Sequence, residues 1–166
     1  KGKAGTVVNS KFWENDKGDL AQWGDQRNMM SYGNTAHPFT QIQITDKGLE
    51  ELSEIVNTIR NMVGYEIPIS TDHYGHFDLN NSIRLGKAME KYRLAWFEDM
   101  VPWTYTEQWK TISDALETPT TTGEDIYLLK DFKPLIHARA VDIIHPDLAS
   151  SGGLLETKRI GDYAEE

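Results

Sequence analysis

The sequence predicts an α/β protein that forms part of a (β/α)8-type, TIM-like barrel, with about four to five strand–helix units. From residue 46 onward, short apolar runs alternate with amphipathic helical segments, and several of the runs end in a carboxylate. Such alternation is typical of parallel sheets. The repeat of about 25 residues matches an eightfold barrel of ~200–250 residues. A doubly wound open sheet is the alternative, but the sequence shows no glycine-rich phosphate loop after its first strand.

The predicted elements follow one another in regular order. Residues 41–45 alternate like a short strand, and apolar residues at helical spacing predict a helix from about 49 to 63, which Gly64 ends. A last helix is expected after Gly152 and Gly153. The remaining predicted strands are 65–72, 94–99, 120–125 and 141–147, and the remaining predicted helices are 80–93, 105–117 and 126–139.

Residues 1–45 differ from the rest of the chain. They are predicted as an irregular region rich in aromatic residues and glycine, whereas residues 46–166 are predicted as a partial barrel domain that carries metal ligands. The first region is interpreted either as a covering loop whose aromatic residues pack, or as a lid that faces a substrate. Because the chain starts without Met and stops within a predicted helix, we expect it to be a fragment of a longer protein.

Composition excludes several classes of function. The 166 residues include 26 acidic and 17 basic side chains, which give a net charge of −9 and argue against a general nucleic-acid binder. The chain has no cysteine, so disulfides, thiolate metal sites and cysteine nucleophiles are ruled out. No apolar run approaches the ~20 residues of a membrane span. We therefore expect a cytoplasmic protein that binds neither nucleic acid nor membrane.

Carboxylates at three strand ends form the strongest functional pattern. Asp72, Glu98 and Glu124 are 26 residues apart at each step, and each closes a strand-like run. Residues at successive strand ends of a parallel barrel converge on the face where active sites lie. Carboxylates gathered there repel one another unless a cation intervenes, and oxygen ligands favour Mg²⁺ or Mn²⁺. A single carboxylate at such a position more often caps the next helix.

Four motifs resemble the enolase superfamily, in its mandelate racemase and muconate lactonizing branch. The resemblance covers about residues 46–166. In that family three carboxylates bind one Mg²⁺, which holds the substrate carboxylate while a base removes the neighbouring proton to give an enediolate. The resemblance assigns the Mg²⁺ ligands to Asp72, Glu98 and Glu124, with Mn²⁺ as the alternative ion. The motifs are Ile69-Ser70-Thr71-Asp72, Trp96-Phe97-Glu98-Asp99, Thr122-Gly123-Glu124-Asp125, and Asp142 to Leu148 followed by Ser151-Gly152-Gly153.

The resemblance also implies where the proton-transfer groups lie. Asp147 matches a residue that pairs with a histidine on the next strand, which would fall beyond Glu166. The lysine-bearing strand of the family cannot be mapped and is expected before Lys1. Tyr74 stands where many members have asparagine, and the neighbouring His73 and His76 are candidates for a general acid. Alternatively, His73 and His76 are hydrogen-bonded loop histidines.

We expect supporting roles for other titratable residues near these motifs. His145 either lines the site or packs as a hydrogen-bonded barrel residue, and the second interpretation is preferred. Asp99 and Asp125 are interpreted as supporting or helix-capping groups, and Asp125 suits the N-cap of the following helix.

The preferred function is dehydration of a sugar acid, an aldonate or aldarate, by a Mg²⁺-dependent carbon–oxygen lyase. The alternatives are a racemase, epimerase or cycloisomerase of the same superfamily, a barrel enzyme of another class such as an aldolase, and a catalytically incomplete fragment. The expected partner is a small-molecule carboxylate. The full-length protein is expected to be a homo-oligomer, and the family's capping domain is expected to lie outside this sequence.

Overall fold

The structure is a computed structural model that describes residues 5–7, 13–14, 20–21, 42–72 and 77–166. After residue 46, helices and parallel strands alternate as predicted, which confirms the α/β class. The strands are β1 (Gly5–Val7), β2 (Trp13–Glu14), β3 (Leu20–Ala21), β4 (Ile42–Ile44), β5 (Thr71–Asp72), β6 (Phe97–Glu98), β7 (Thr120–Thr122) and β8 (Ile143–Ile144). The helices are α1 (Asp46–Val63), α2 (Leu79–Met89), α3 (Thr106–Ala115), α4 (Leu129–Ala138) and α5 (Leu154–Glu165), and a 3₁₀ turn (Glu90–Tyr92) follows α2.

Strands β5 to β8 form one parallel sheet in sequential order. Its parallel strands in sequential order are those of part of a (β/α)8-type barrel. Within the described residues the barrel is not closed. β1 pairs with β4 in parallel, and β2 pairs with β3 in antiparallel orientation. Strands β1 to β3 fall in the region that the sequence predicted as irregular, and the other residues before Gln41 lie outside the described part of the chain.

The predicted first helix forms as expected and has a capping group at each end. The Thr45 hydroxyl accepts a hydrogen bond from the backbone N–H of Gly48 (3.0 Å), which satisfies one donor of the first turn. At the other end Gly64 has φ 71° and donates its N–H to the carbonyl of Arg60. A glycine adopts this left-handed conformation without the steric cost that other residues meet.

The hydrophobic core lies where the helices pack on the sheet. Each of the five helices contacts the next helix along the chain, as expected when strand–helix units follow one another around a sheet. None of the helices among the described residues has the length and apolar character to span a membrane. The largest fully buried side chains are Trp109, Phe97, Phe132, Leu85, Met89, Met100, Ile112, Ile126, Leu135 and Ile160.

The start of α4 differs from the prediction. Asp125 was expected to cap this helix, but it is exposed and lies before the loop that leads to Leu129. The side chain of Glu156, from α5, accepts the backbone N–H of Leu129 instead (2.9 Å). The capping acceptor therefore comes from the next helix along the chain.

Arg60 is a buried cation that joins three segments of backbone. Its side chain is nearly inaccessible, with a residue exposure of 2%, and its guanidinium lies 4.8 Å from the centre of the Tyr65 ring. The guanidinium donates to the carbonyl oxygens of Gly64 and Ile67 (both 2.8 Å) and of Tyr92 and Arg93 (both 3.0 Å). It thus ties the end of α1 to the segment that leads into β5 and to the turn before β6.

We expect Arg60→Met to destabilise the chain by about 3 kcal/mol or more, because buried acceptors left unsatisfied cost about 1–3 kcal/mol each. Urea unfolding monitored by circular dichroism measures this loss. Lys158→Met is the matched control, since Lys158 forms an exposed ion pair with Asp162 and such pairs contribute about 0–1 kcal/mol. Equal stabilities of the two variants would contradict a structural role for Arg60.

Candidate metal centre

The sheet register brings two of the predicted metal ligands side by side. Asp72, the last residue of β5, is the register partner of Glu98, the last residue of β6. Neighbouring strands are about 4.8 Å apart, and paired residues project from the same face of a sheet. The two carboxylates are therefore neighbours at the carboxyl end of the sheet, as the sequence spacing predicted.

Contacts on both of its oxygens orient the Glu98 carboxylate. Oε2 accepts a hydrogen bond from the indole Nε1–H of Trp96 (3.0 Å). Trp96 precedes Glu98 by two residues, so strand alternation places both side chains on one face. Oε1 lies 3.4 Å from Nε2 of His145, which follows β8.

Asp99 enters the site because the backbone leaves the extended conformation there. Strand alternation would turn its side chain away from that of Glu98. Asp99 instead has φ 45°, in the left-handed region, and its N–H donates to the Thr121 carbonyl (3.1 Å). Its carboxylate Oδ1 accepts a hydrogen bond from the Thr122 hydroxyl (2.6 Å). One carboxylate oxygen each from Glu98 and Asp99 and a ring nitrogen of His145 all lie within 4.8 Å of one another.

Close backbone packing holds His145 at the site. Its N–H donates to the Thr122 carbonyl (3.3 Å), and a Cβ added to Gly123 would lie only 2.9 Å from the backbone nitrogen of His145. The His145 side chain is 31% exposed, but its Nε2 atom is buried and makes no hydrogen bond with any described residue. The preferred interpretation from sequence, a packed and hydrogen-bonded residue, is therefore wrong for this nitrogen.

Burial, together with repulsion between carboxylates, raises the pKa values of two acidic residues at the site. Burial raises the pKa of Asp99 to about 7; the Thr122 hydrogen bond opposes this shift, and the charges of Asp72, Glu124 and Glu98 add to it. Partial burial also raises the pKa of Glu124, with further increases from Asp125, Asp72 and Glu98, while His145 lowers it. The third predicted ligand therefore interacts electrostatically with the other two.

Of the remaining predicted site residues, the structure describes Asp147 alone. His73 and His76 are outside the described residues. Asp147 is exposed, and its Oδ1 accepts the backbone N–H of Ala149 (2.8 Å). Its carbonyl accepts from Ser150 and Ser151, so Asp147 opens the turn that precedes α5.

The arrangement has the chemistry of a cation site. Asp72 and Glu98 are adjacent, Glu124 is within electrostatic range, and a proton-free Asp99 would add a fourth negative charge. A divalent cation relieves this repulsion, and an all-oxygen set suits Mg²⁺. The buried Nε2 of His145, which makes no hydrogen bond among the described residues, lies within 4.8 Å of oxygens of Glu98 and Asp99 and could serve as a further ligand atom. The residues therefore fit a divalent metal ion.

A parallel strand–helix sheet with acidic side chains gathered at its carboxyl end defines this chain as part of a barrel of the kind that places active sites on that face. The chain belongs to the Enolase C-terminal domain-like family, whose model matches residues 26–166. This confirms the resemblance found in the sequence motifs.

Relatives and solved structures agree with that assignment. The chain is 31% identical to the D-galactonate dehydratase family member RspA of Cellvibrio japonicus, over 76% of this chain and 32% of that protein. It is 34% identical to a D-xylonate dehydratase of Haloferax volcanii, over 68% of this chain and 27% of that protein. The chain thus spans about a third of the length of the curated relatives that it matches.

Two solved structures share the fold. A mandelate racemase/muconate lactonizing enzyme from Sulfitobacter sp matches with a TM-score of 0.71 and 28% identity, over 74% of this chain and 31% of that one. A mandelate racemase/muconate lactonizing enzyme-like protein from Rubrobacter xylanophilus matches with a TM-score of 0.72 and 26% identity, over 94% of this chain and 46% of that one.

The raised pKa of Asp99 predicts how stability depends on pH in the metal-free chain. Between about pH 4 and 7 the folded chain keeps a proton on Asp99 that the unfolded chain loses, because the ordinary pKa is 3.8. Stability therefore falls as pH rises through this window. Urea unfolding in the presence of a chelator should give a lower stability at pH 8 than at pH 5, and Asp99→Asn should remove much of the difference.

The control is Asp114→Asn, which alters an exposed carboxylate paired with Lys110. It should leave the pH dependence as in the original chain. An Asp99→Asn variant with an unchanged pH dependence would show that the raised pKa of Asp99 does not cause the loss of stability at high pH.

Proposed function

We propose that the complete protein in which this chain occurs dehydrates a sugar acid, an aldonate or aldarate, by removing the proton next to the substrate carboxylate. Asp72, Glu98 and Glu124 would hold Mg²⁺, with Mn²⁺ as the alternative ion. The observation that carries the proposal is the register of β5 and β6, which places Asp72 beside Glu98 at the carboxyl end of the sheet.

The metal addresses the main energetic difficulty of such a reaction. A proton next to a carboxylate is very weakly acidic, because its removal places a second negative charge on the substrate. A bound Mg²⁺ would supply the positive charge that stabilises this developing dianion. The three carboxylates in turn would fix the ion at one end of the sheet.

Two contacts among the described residues would orient the proposed ligands Glu98 and Glu124 before any substrate binds. The Trp96 indole holds one oxygen of Glu98, and the close approach of Gly123 to the His145 backbone fixes the loop that carries Glu124. Preorganised groups of this kind lower the reorganisation needed during reaction. The role of this chain is therefore to hold the ion and, through it, the substrate carboxylate.

We propose that proton transfer involves Asp147 and a histidine that follows Asp72 in the chain. Asp147 is proposed to pair with a histidine outside residues 1–166, which would take the proton from carbon. His73 or His76, which follow Asp72 in the chain, would donate a proton to the departing hydroxyl so that it leaves as water. Such positioned acids and bases contribute roughly 10²–10⁴ in rate.

The names of the relatives favour dehydration over the alternatives. The galactonate- and xylonate-related names belong to dehydratases, and the solved structures that match include proteins named as putative dehydratases as well as proteins named for racemase and lactonizing activities. A racemase, epimerase or cycloisomerase would share the proton abstraction and the same metal ligands. The chain by itself is proposed to be catalytically incomplete, because its base is expected outside these residues.

Loss of a metal ligand should weaken Mg²⁺ binding. Calorimetry of Glu98→Gln should give an affinity at least about tenfold lower than that of the original chain, since even residues that only support metal ligands contribute about 10–100-fold. Glu107→Gln is the matched control, because Glu107 is an exposed residue of the first turn of α3. Unchanged Mg²⁺ affinity in Glu98→Gln would remove Glu98 from the site.

Activity is tested by deuterium exchange and product analysis on the complete protein. With Mg²⁺ in D₂O, at least one member of a panel of aldonates and aldarates should exchange its proton next to the carboxylate and lose water. Racemisation or exchange without loss of water would favour the alternative reactions. Absence of exchange with every acid would contradict the proposal, and equal turnover by the 166-residue chain would contradict its catalytic incompleteness.

A further inference from the structure

The cluster of Glu98, Asp99 and His145 is a ligand set distinct from the three carboxylates assigned to Mg²⁺. It shares only Glu98 with that set, and it includes an imidazole nitrogen. One oxygen of each carboxylate is engaged by a neighbour, Glu98 Oε2 by Trp96 and Asp99 Oδ1 by Thr122. The second oxygen of Glu98, Oε1, faces the His145 ring.

The spacing of these atoms matches two ligands of one ion. Nitrogen and oxygen ligands at about 2.0–2.1 Å from an ion in tetrahedral geometry lie about 3.4 Å apart. Glu98 Oε1 and His145 Nε2 are 3.4 Å apart. This contact does not satisfy the nitrogen, since Nε2 is buried and makes no hydrogen bond with any of the described residues. A buried nitrogen without a partner is costly, and an ion would satisfy it.

We propose that Glu98, Asp99 and His145 bind a first-row transition-metal dication, such as Zn²⁺ or Co²⁺, through two carboxylate oxygens and Nε2 of the imidazole. Imidazole is a preferred ligand of these ions, whereas Mg²⁺ prefers oxygen ligands and retained water. The inference deepens the proposed function and rests on it in one respect, since both ions require Glu98. Because both ions would use Glu98, Zn²⁺ or Co²⁺ bound at this set would weaken Mg²⁺ binding at the three carboxylates.

The test uses Co²⁺ and Zn²⁺ alone as probes, with His145→Gln as the variant and His137→Gln as the matched control. His137 is an exposed histidine of α4 that contacts Tyr163. Co²⁺ affinity, followed by visible absorption, should fall at least about tenfold in His145→Gln. The affinity of Mg²⁺ should fall by less than that of Co²⁺, because Mg²⁺ prefers oxygen ligands, and His137→Gln should leave both affinities unchanged. A His145→Gln variant that binds Co²⁺ as tightly as the original chain would overturn the proposal.

A measurement on the unaltered chain avoids any dependence on how the variant folds. Zn²⁺ should shift the ¹⁵N resonance of one histidine Nε2, and sequential resonance assignment of the unaltered chain should identify this histidine as His145. A Zn²⁺ shift confined to other histidines would contradict the site. Zn²⁺ should also lower the apparent Mg²⁺ affinity, and independent binding of the two ions would refute the shared ligand.

The outcomes separate this inference from the proposed function. If Glu98→Gln keeps its Mg²⁺ affinity but His145→Gln loses Co²⁺, the magnesium assignment fails and the transition-metal site stands. If Glu98→Gln loses Mg²⁺ but His145→Gln keeps Co²⁺, the magnesium assignment stands and this inference fails.

Discussion

Electrostatic repulsion among carboxylates at one end of a parallel sheet is the constraint on which the functional part of the molecule depends. The register of β5 and β6 sets Asp72 beside Glu98, and burial together with neighbouring charge raises the pKa of Asp99 to about 7. A chain under selection for stability alone would not gather these groups, because like charges at short range lower stability. A cation bound at the site would offset this loss of stability.

The fold maintains this arrangement through contacts both away from the acidic end and beside it. The buried guanidinium of Arg60 connects the end of α1 with the backbone leading to β5 and β6. The apolar faces of the helices pack on the sheet, and the close contact between Gly123 and the His145 backbone joins the ends of β7 and β8. These contacts offset the repulsion among the carboxylates at the strand ends.

Local patterns predicted the parts of the structure that local forces determine. Helical spacing and a terminal glycine located α1, and the equal spacing of Asp72, Glu98 and Glu124 located the carboxyl ends of successive strands. The sequence assigned Asp99 only a supporting or helix-capping role. Asp99 enters the cluster through a left-handed backbone conformation, which is uncommon in residues other than glycine and which the sequence pattern did not indicate.

Long-range contacts account for the other differences. The cap of α4 comes from Glu156, 27 positions after Leu129, and the unsatisfied nitrogen of His145 depends on where Glu98 lies in three dimensions. Neither relation leaves a signal in local spacing. The two adjacent acidic residues, Glu98 and Asp99, were the one available hint that both carboxylates serve the site.

The most direct measurement of the central claim is anomalous diffraction from crystals of this chain grown with Mn²⁺ as a substitute for Mg²⁺. The account predicts an ion bound jointly by Asp72 and Glu98, at about 2.1 Å from a carboxylate oxygen of each. Well-ordered crystals with Mn²⁺ bound elsewhere, and with none between these two strand ends, would contradict it.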